Sequence, residues 1–142
     1  MSAPLEIITR AVIIRAGQLL VARDLAASWY FLPGGHVESG EPVEAALLRE
    51  LGEELGCGAT VVGFVGAVEY GYVSGGCARR ELNLVFEVDL DAAAPKSQED
   101  HLEFCWVPMA GLAQTALRPE PLRTGVQQWA ENRVPFWRAL SL

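Results

Sequence analysis

Six of the eighteen acidic residues, Glu38, Glu41, Glu44, Glu50, Glu53 and Glu54, fall within seventeen consecutive positions. On a helix, Glu50 and Glu53 stand three apart and Glu50 and Glu54 four apart, so three carboxylates share one face. Such like charges repel by roughly a few tenths of a kcal/mol per pair. They also occupy the C-terminal half of the helix, where the macrodipole disfavours negative charge. Stability alone would not choose this arrangement. A hard divalent cation resolves it, because Mg²⁺ prefers carboxylate and water oxygens and leaves positions open for phosphate oxygens. Arg49 supplies one compensating cation, i, i+4 before Glu53, and Glu41 near the helix start can reach back to a guanidinium. Gly34-Gly35 lets the backbone pass close to the metal, where a side chain would block it. The plainer reading is a solvated acidic face, with Arg49 an ordinary exposed ion-pair partner worth about 0.3–0.5 kcal/mol.

The elements around this cluster read as a mixed α/β domain. Leu5–Ile14 and Gln18–Arg23 are rich in Ile, Val and Leu, and Ala16-Gly17 between them predicts a hairpin. Leu32-Pro33-Gly34-Gly35 is a break. Pro42–Leu55 reads as a helix: Pro42 suits the first helical position, Gly56 suits the stop, and Leu47, Leu51 and Leu55 form a stripe that can anchor it. The β-rich runs Ala59–Tyr70 and Glu81–Leu90 are separated by the glycine-rich stretch Gly71–Ala78. A loop, Asp91–His101, precedes a short strand, Glu103–Val107. A last helix is predicted over about Pro121–Glu131, with Leu122, Val126 and Trp129 on one face, against which Phe136 and Trp137 are expected to pack. The expected architecture is a set of mostly hairpin-linked strands around one early helix.

Composition narrows the function. The chain has 142 residues, 51% of them hydrophobic, and carries no internal repeat or long linker, so residues 1–142 read as one domain. A chain this long buries roughly two thirds of its unfolded surface and needs no disulfides. A charged fraction of 20% and a mean hydropathy of +0.20 exclude intrinsic disorder. No apolar run approaches a membrane span. A net charge of −7 argues against broad, non-specific nucleic-acid binding. Met1-Ser2-Ala3-Pro4 has no signal-peptide features. Cys57, Cys77 and Cys105 are widely spaced, with neither Cys-x-x-Cys nor zinc-ligand spacing, so each reads as a small buried hydrophobe and a reducing cytoplasm is the expected compartment.

Gly35, Glu41, Arg49-Glu50-Leu51-Gly52-Glu53-Glu54-Leu55-Gly56 and Cys57 follow the pattern G-x5-E-x7-R-E-U-x-E-E-x-G-U, with U a bulky aliphatic. This resembles the complete box of the Nudix (MutT-like) hydrolases over residues 35–57. The one departure is Cys57 at the last aliphatic position, which affects packing rather than ligands. Leu32-Pro33-Gly34-Gly35 and Trp106-Val107-Pro108 are also similar to that family.

The resemblance implies an α/β/α sandwich with a mixed central β-sheet, and hydrolysis of a nucleoside diphosphate linked to a further moiety. It implies that Glu53 and Glu54 bind Mg²⁺ or Mn²⁺, with the Gly35 carbonyl as a further ligand. Glu50 would be either a metal ligand or the base that activates water, and Arg49 and Glu41 would hold it in position. Metal ions neutralise pyrophosphate oxygens and lower the pKa of attacking water, which agrees with that chemistry. In the resembling family a glutamate from the region of the loop before the Trp106 strand often adds a ligand or the general base, which makes Glu99 and Glu103 candidates, with exposed loop charge the plainer reading. Homodimers are frequent there, but this sequence shows no dimer patch.

Outside the box, Trp29 and Tyr30 offer stacking surfaces for a base or ribose, or core packing or a dimer contact. Tyr70, Tyr72 and Arg79-Arg80 bracket the glycine-rich stretch and are placed to select substrate, or form a hairpin tip with a basic flank. Glu44 reads as surface, Glu38 as an outer metal contact, and His36 and His101 as surface. Candidate substrates are nucleoside diphosphate sugars including ADP-ribose, dinucleoside polyphosphates, and nucleoside triphosphates, oxidised ones among them. Two rivals stand beside hydrolysis: a non-catalytic Nudix-type domain that senses a nucleotide, and an acidic-helix interaction module without metal.

Overall fold

The computed structural model describes residues 3–92 and 94–140. Met1 and Ser2 of the N-terminal reading, and one residue of the Asp91–His101 loop, lie outside the described residues. Leu5–Val12 (β1) is buried on both faces in its second half, since Val12 joins one core while Ala11 joins the other. Ile14–Arg15 (β2) turns through Ala16-Gly17, both at positive φ, into Gln18–Asp24 (β3). The turn at Ala16-Gly17 was expected, but of the run Leu5–Ile14 only Ile14 pairs across it, because Leu5–Val12 joins a different sheet. On its other edge β3 pairs with Leu102–Pro108 (β7), which makes a separate three-stranded sheet, β2-β3-β7.

The larger sheet has the order β4-β1-β6-β5-β8, from Gly34–His36 (β4), β1, Cys77–Leu90 (β6), Ala59–Ser74 (β5) and Phe136–Leu140 (β8). The β1–β6 and β5–β8 pairs are parallel and the others antiparallel, so the sheet is mixed. Parallel pairing requires a long crossover. Between β1 and β6 that connection contains the helix Val43–Leu55 (α1). Leu47, Leu51 and Leu55 pack with Ala11, Ile13, Leu20 and Val88 on one side of the sheets. On the other side Leu122, Val126 and Trp129 of the helix Glu120–Asn132 (α2) pack with Val12, Leu19, Val85 and Phe136. The expected three-layer α/β/α arrangement is what these two cores build.

Several expectations are corrected. Gly71–Ala78 is not a loop: β5 and β6 run through it, and only Gly75-Gly76 turn, at φ 59° and 79°. Two central residues at positive φ are what a two-residue hairpin of matching twist requires. The Leu32–Gly35 break ends in a short edge strand, because Gly34 pairs with Arg10 so closely that a Cβ there would run into the Thr9 carbonyl. Pro42 stands at the N-cap of α1, not at its first helical position. The chain after α2 forms β8 instead of only packing on the helix. Phe136 is seated against Gly66 and Gly125, where any side chain would overlap its ring, whereas Trp137 points the other way and is 59% exposed. Cys77 is exposed at the hairpin tip and Cys57 and Cys105 are half-buried, so none is a fully buried hydrophobe. Among the described residues no helix is long and apolar enough to cross a membrane.

Candidate active site

The buried leucine stripe of α1 fixes the helix so that its charged side faces the edge strand β4. Arg49 is the hub of that face. Its Nε and Nη2 donate to the two Glu41 oxygens at 2.8 and 3.0 Å, a fork-to-fork pair. Nη1 donates to Glu50 Oε1 at 3.0 Å and to Glu53 Oε1 at 3.3 Å, and Nη2 also reaches the His36 carbonyl at 3.0 Å. The guanidinium, with the Glu38 backbone N–H, holds the Glu41 carboxyl below the usual carboxylate range. Glu38 itself is mostly exposed, 3.9 Å from Arg49.

The three box carboxylates do not lie on one exposed face. Glu53 points to solvent, Glu50 lies against the Gly35 backbone, where any side chain would collide with it, and Glu54 turns inward. Glu54 Oε2 accepts from the Gly34 N–H at 3.1 Å. Burial pushes its carboxyl up to about 8. A folded-state value raised from 4.5 to about 8 means the folded chain holds a proton that the unfolded chain has released. Stability of the metal-free protein is therefore expected to fall as pH rises through that window, by up to about 1.4 kcal/mol per pH unit. Glu54→Gln should flatten this slope and melt higher than the parent at pH 8 when both are metal-free. Parallel melting-temperature profiles of the two proteins between pH 5 and 9 would rule out the buried acid as the cause.

Beside β4, on the sheet face that carries α2, lies a pocket of about 400 Å³. Its walls are aromatic, from Trp29, Phe31, Tyr70 and Tyr72, and Arg10 and Glu81 provide charge. Tyr70 and Tyr72 stack with centroids 5.3 Å apart, and Arg118 lies 5.1 Å from the Trp29 ring centre. Arg10 feels the field of Glu81 in the pocket and also of Glu50 and Glu54 on the helix, so its guanidinium stands between the two regions. Burial lowers its pKa despite those acids.

The NUDIX domain model matches residues 6–127, the span that carries this acidic helix and glycine edge strand. This chain belongs to the NUDIX family. It is a pyrophosphohydrolase by that membership. A Mycobacterium tuberculosis protein that bears the provisional name 8-oxo-dGTP diphosphatase 2 is 34% identical over 112 residues, 75% of this chain and 76% of its own length. The solution structure of the Escherichia coli ORF135 protein superposes with a TM-score of 0.74 at 26% identity, covering 92% of this chain and 94% of that one. A MutT protein crystal structure from Methanosarcina mazei shares the fold at 22% identity and a TM-score of 0.77, over 94% and 98% of the two chains.

NUDIX hydrolases generally use divalent cations. Among the described residues no three His, Cys, Asp or Glu side chains already converge to hold one. Arg49 engages the Oε1 atoms of both Glu50 and Glu53. The residues nevertheless fit a hard cation. Every donor is oxygen, and the missing Cβ at Gly35 lets the Glu50 carboxylate lie directly against the backbone there. The hydroxyl of Thr9, which pairs with Gly35, is buried without a hydrogen-bond partner.

Of the residues singled out for substrate contact, Trp29 and Tyr72 line the pocket. Arg79 does not; it stands in β6 with its Nη1 4.0 Å from Glu6. Glu103 is paired with Arg23 at 2.8 Å, and neighbours Cys105 on the face of β7 turned away from α1. Glu99 is half-buried, and its charge reaches Glu54. His36, read as surface, sits on the pocket wall 3.4 Å from Glu6. Sequence reasoning missed Arg10, Phe31, Glu81, Asn83 and Arg118. For three of them a signal existed: Arg10 interrupts the apolar run Ile7–Ile14, and Glu81 and Asn83 alternate with Leu82 and Leu84.

Proposed function

We propose that this chain, as one domain over residues 1–142, carries out Mg²⁺-dependent hydrolysis of the pyrophosphate bond in a small nucleoside diphosphate derivative. The observation that supports it most is the Arg49 hub, which gathers Glu41, Glu50 and Glu53 next to an aromatic pocket. A pocket of about 400 Å³ suits a nucleoside, and Trp29 and Tyr72 offer it stacking surfaces. Glu50, Glu53, Glu54 and the Gly35 carbonyl would hold Mg²⁺, with Mn²⁺ an alternative. When bound, the cation neutralises phosphate oxygens and lowers the pKa of the attacking water. Water attacks one phosphorus, the bridging P–O bond breaks, and two phosphate products leave. Glu50 either ligates the cation or takes the water's proton. Arg49 and Glu41 keep that carboxylate from swinging away. Glu99 is the nearer candidate for an added ligand, given its effect on Glu54. The three thiols without a disulfide are consistent with a reducing cytoplasm, and a homodimer is compatible with the family.

A panel assay tests this reading. Nucleoside diphosphate sugars, dinucleoside polyphosphates and nucleoside triphosphates are each incubated with and without Mg²⁺, and phosphate or pyrophosphate release is followed. Oxidised guanine nucleotides belong on the panel because of the Mycobacterium relative's name. Release from at least one class, lost on chelation, is the expected result. A chain that binds Mg²⁺ and nucleotide but hydrolyses none would be a sensing domain instead. Absence of millimolar-range Mg²⁺ binding by calorimetry would overturn both.

A further inference from the structure

We propose that Arg10 and Glu81, tied together through Asn83, read the base in the pocket and select guanine nucleotides. This rests on taking the pocket as the nucleoside site. Asn83 is fully buried in the middle of β6. Its Nδ2 donates to Glu81 Oε1 at 3.0 Å, and its Oδ1 accepts from Arg10 Nε at 3.4 Å. Arg10 Nη1 is further held by the Leu32 carbonyl at 3.0 Å. A buried amide bonded on both sides costs free energy if either partner is displaced. The two charged groups are therefore fixed in relation to each other before any ligand arrives.

What they present to the pocket is an acceptor beside a donor. Each Glu81 oxygen has lone pairs beyond the one Asn83 uses, and Arg10 keeps N–H groups beyond those engaged by Asn83 and Leu32. A fixed carboxylate is best satisfied by two neighbouring N–H donors. Guanine alone among the common bases carries two, N1–H and the 2-amino group, with the O6 acceptor next to them for a guanidinium. Adenine and cytosine would each turn a ring nitrogen's lone pair toward the carboxylate. Uracil would turn a carbonyl toward it. Those pairings leave a desolvated acceptor facing an acceptor, which is how such a site rejects a near-isostere.

The test is calorimetric binding of GMP, IMP, AMP, CMP and UMP to the metal-free protein. IMP differs from GMP only by lacking the 2-amino group. GMP is expected to bind tightest, with IMP weaker by about tenfold, since one bond to a charged group is lost. Glu81→Gln should bring the GMP-to-IMP ratio within about twofold. Arg10→Lys should weaken GMP more than AMP, because O6 loses its donor. Equal affinity of all five nucleotides for the parent protein, or no binding at low millimolar concentration, would overturn the proposal. So would an unchanged ratio in Glu81→Gln, or a base-independent loss in Arg10→Lys. Because no metal or turnover enters, selective GMP binding by a chain that hydrolyses nothing would count against the hydrolase reading and not against this one.

Discussion

Arg49→Lys is expected to lower kcat by about 100-fold or more while shifting the melting temperature by only a few degrees. The guanidinium spans Glu41 with two bonds and reaches Glu50, Glu53 and the His36 carbonyl with others. An ammonium is a point charge with three donors and no planar fork, so it cannot hold Glu41 and Glu50 at once. Misplacing a reacting or metal-binding group by about 1 Å costs on the order of 10²-fold. Folding depends far less on the same bonds. The helix is pinned by Leu47, Leu51 and Leu55 on its other side, and Arg49 sits at the solvent edge. Steady-state kinetics and thermal melts of the same preparation decide the matter. Near-full turnover with a lowered melting temperature would make Arg49 a structural residue only.

Glu53→Gln should abolish turnover by several orders of magnitude and reverse the sign of its stability effect when Mg²⁺ is added. Without metal, the substitution removes one charge from a crowded acidic face and loosens only the 3.3 Å contact to Arg49. Its melting temperature is expected to equal or slightly exceed that of the parent. With Mg²⁺, the parent gains stability in proportion to occupancy, and the variant, binding less tightly, gains less. The side chain is 54% exposed, so the amide leaves no buried group unpaired and folding is preserved. Melting curves with and without Mg²⁺, together with the rate on the substrate found by the panel, test both halves. Parental rate and an unchanged Mg²⁺-induced shift would show that Glu53 is a surface charge and that the metal site lies elsewhere. The two variants separate roles: Arg49→Lys should still bind Mg²⁺, whereas Glu53→Gln should bind it poorly.

The box, its helix and the family were legible in the sequence because they depend on local spacing. A helical period puts Glu50, Glu53 and Glu54 within one turn, and a leucine every fourth residue marks the buried side, whatever the rest of the chain does. The helix Pro121–Glu131, observed over Glu120–Asn132, was readable for the same reason. The glycine-rich stretch after Tyr70 misled, since Gly71 sits within a strand and composition does not reveal which glycines turn.

What only the tertiary structure decided is which distant residues meet. Glu54 carries an up-shifted carboxyl because the folded chain buries it, against the opposing pull of the Gly34 N–H twenty residues earlier, and spacing along the helix does not encode that burial. Arg10 and Asn83 are 73 residues apart and meet because β1 lies parallel to β6, a pairing set by the α1 crossover and by how both strands fill the two cores. Glu103 was a candidate through the family resemblance and Arg79 through its place beside the glycine-rich stretch, and the fold pairs them with Arg23 and Glu6. Local periodicity is a property of neighbouring side chains and is written in the sequence. Strand register and burial are settled by the packing of the whole sheet, and they decide which of those side chains face the pocket.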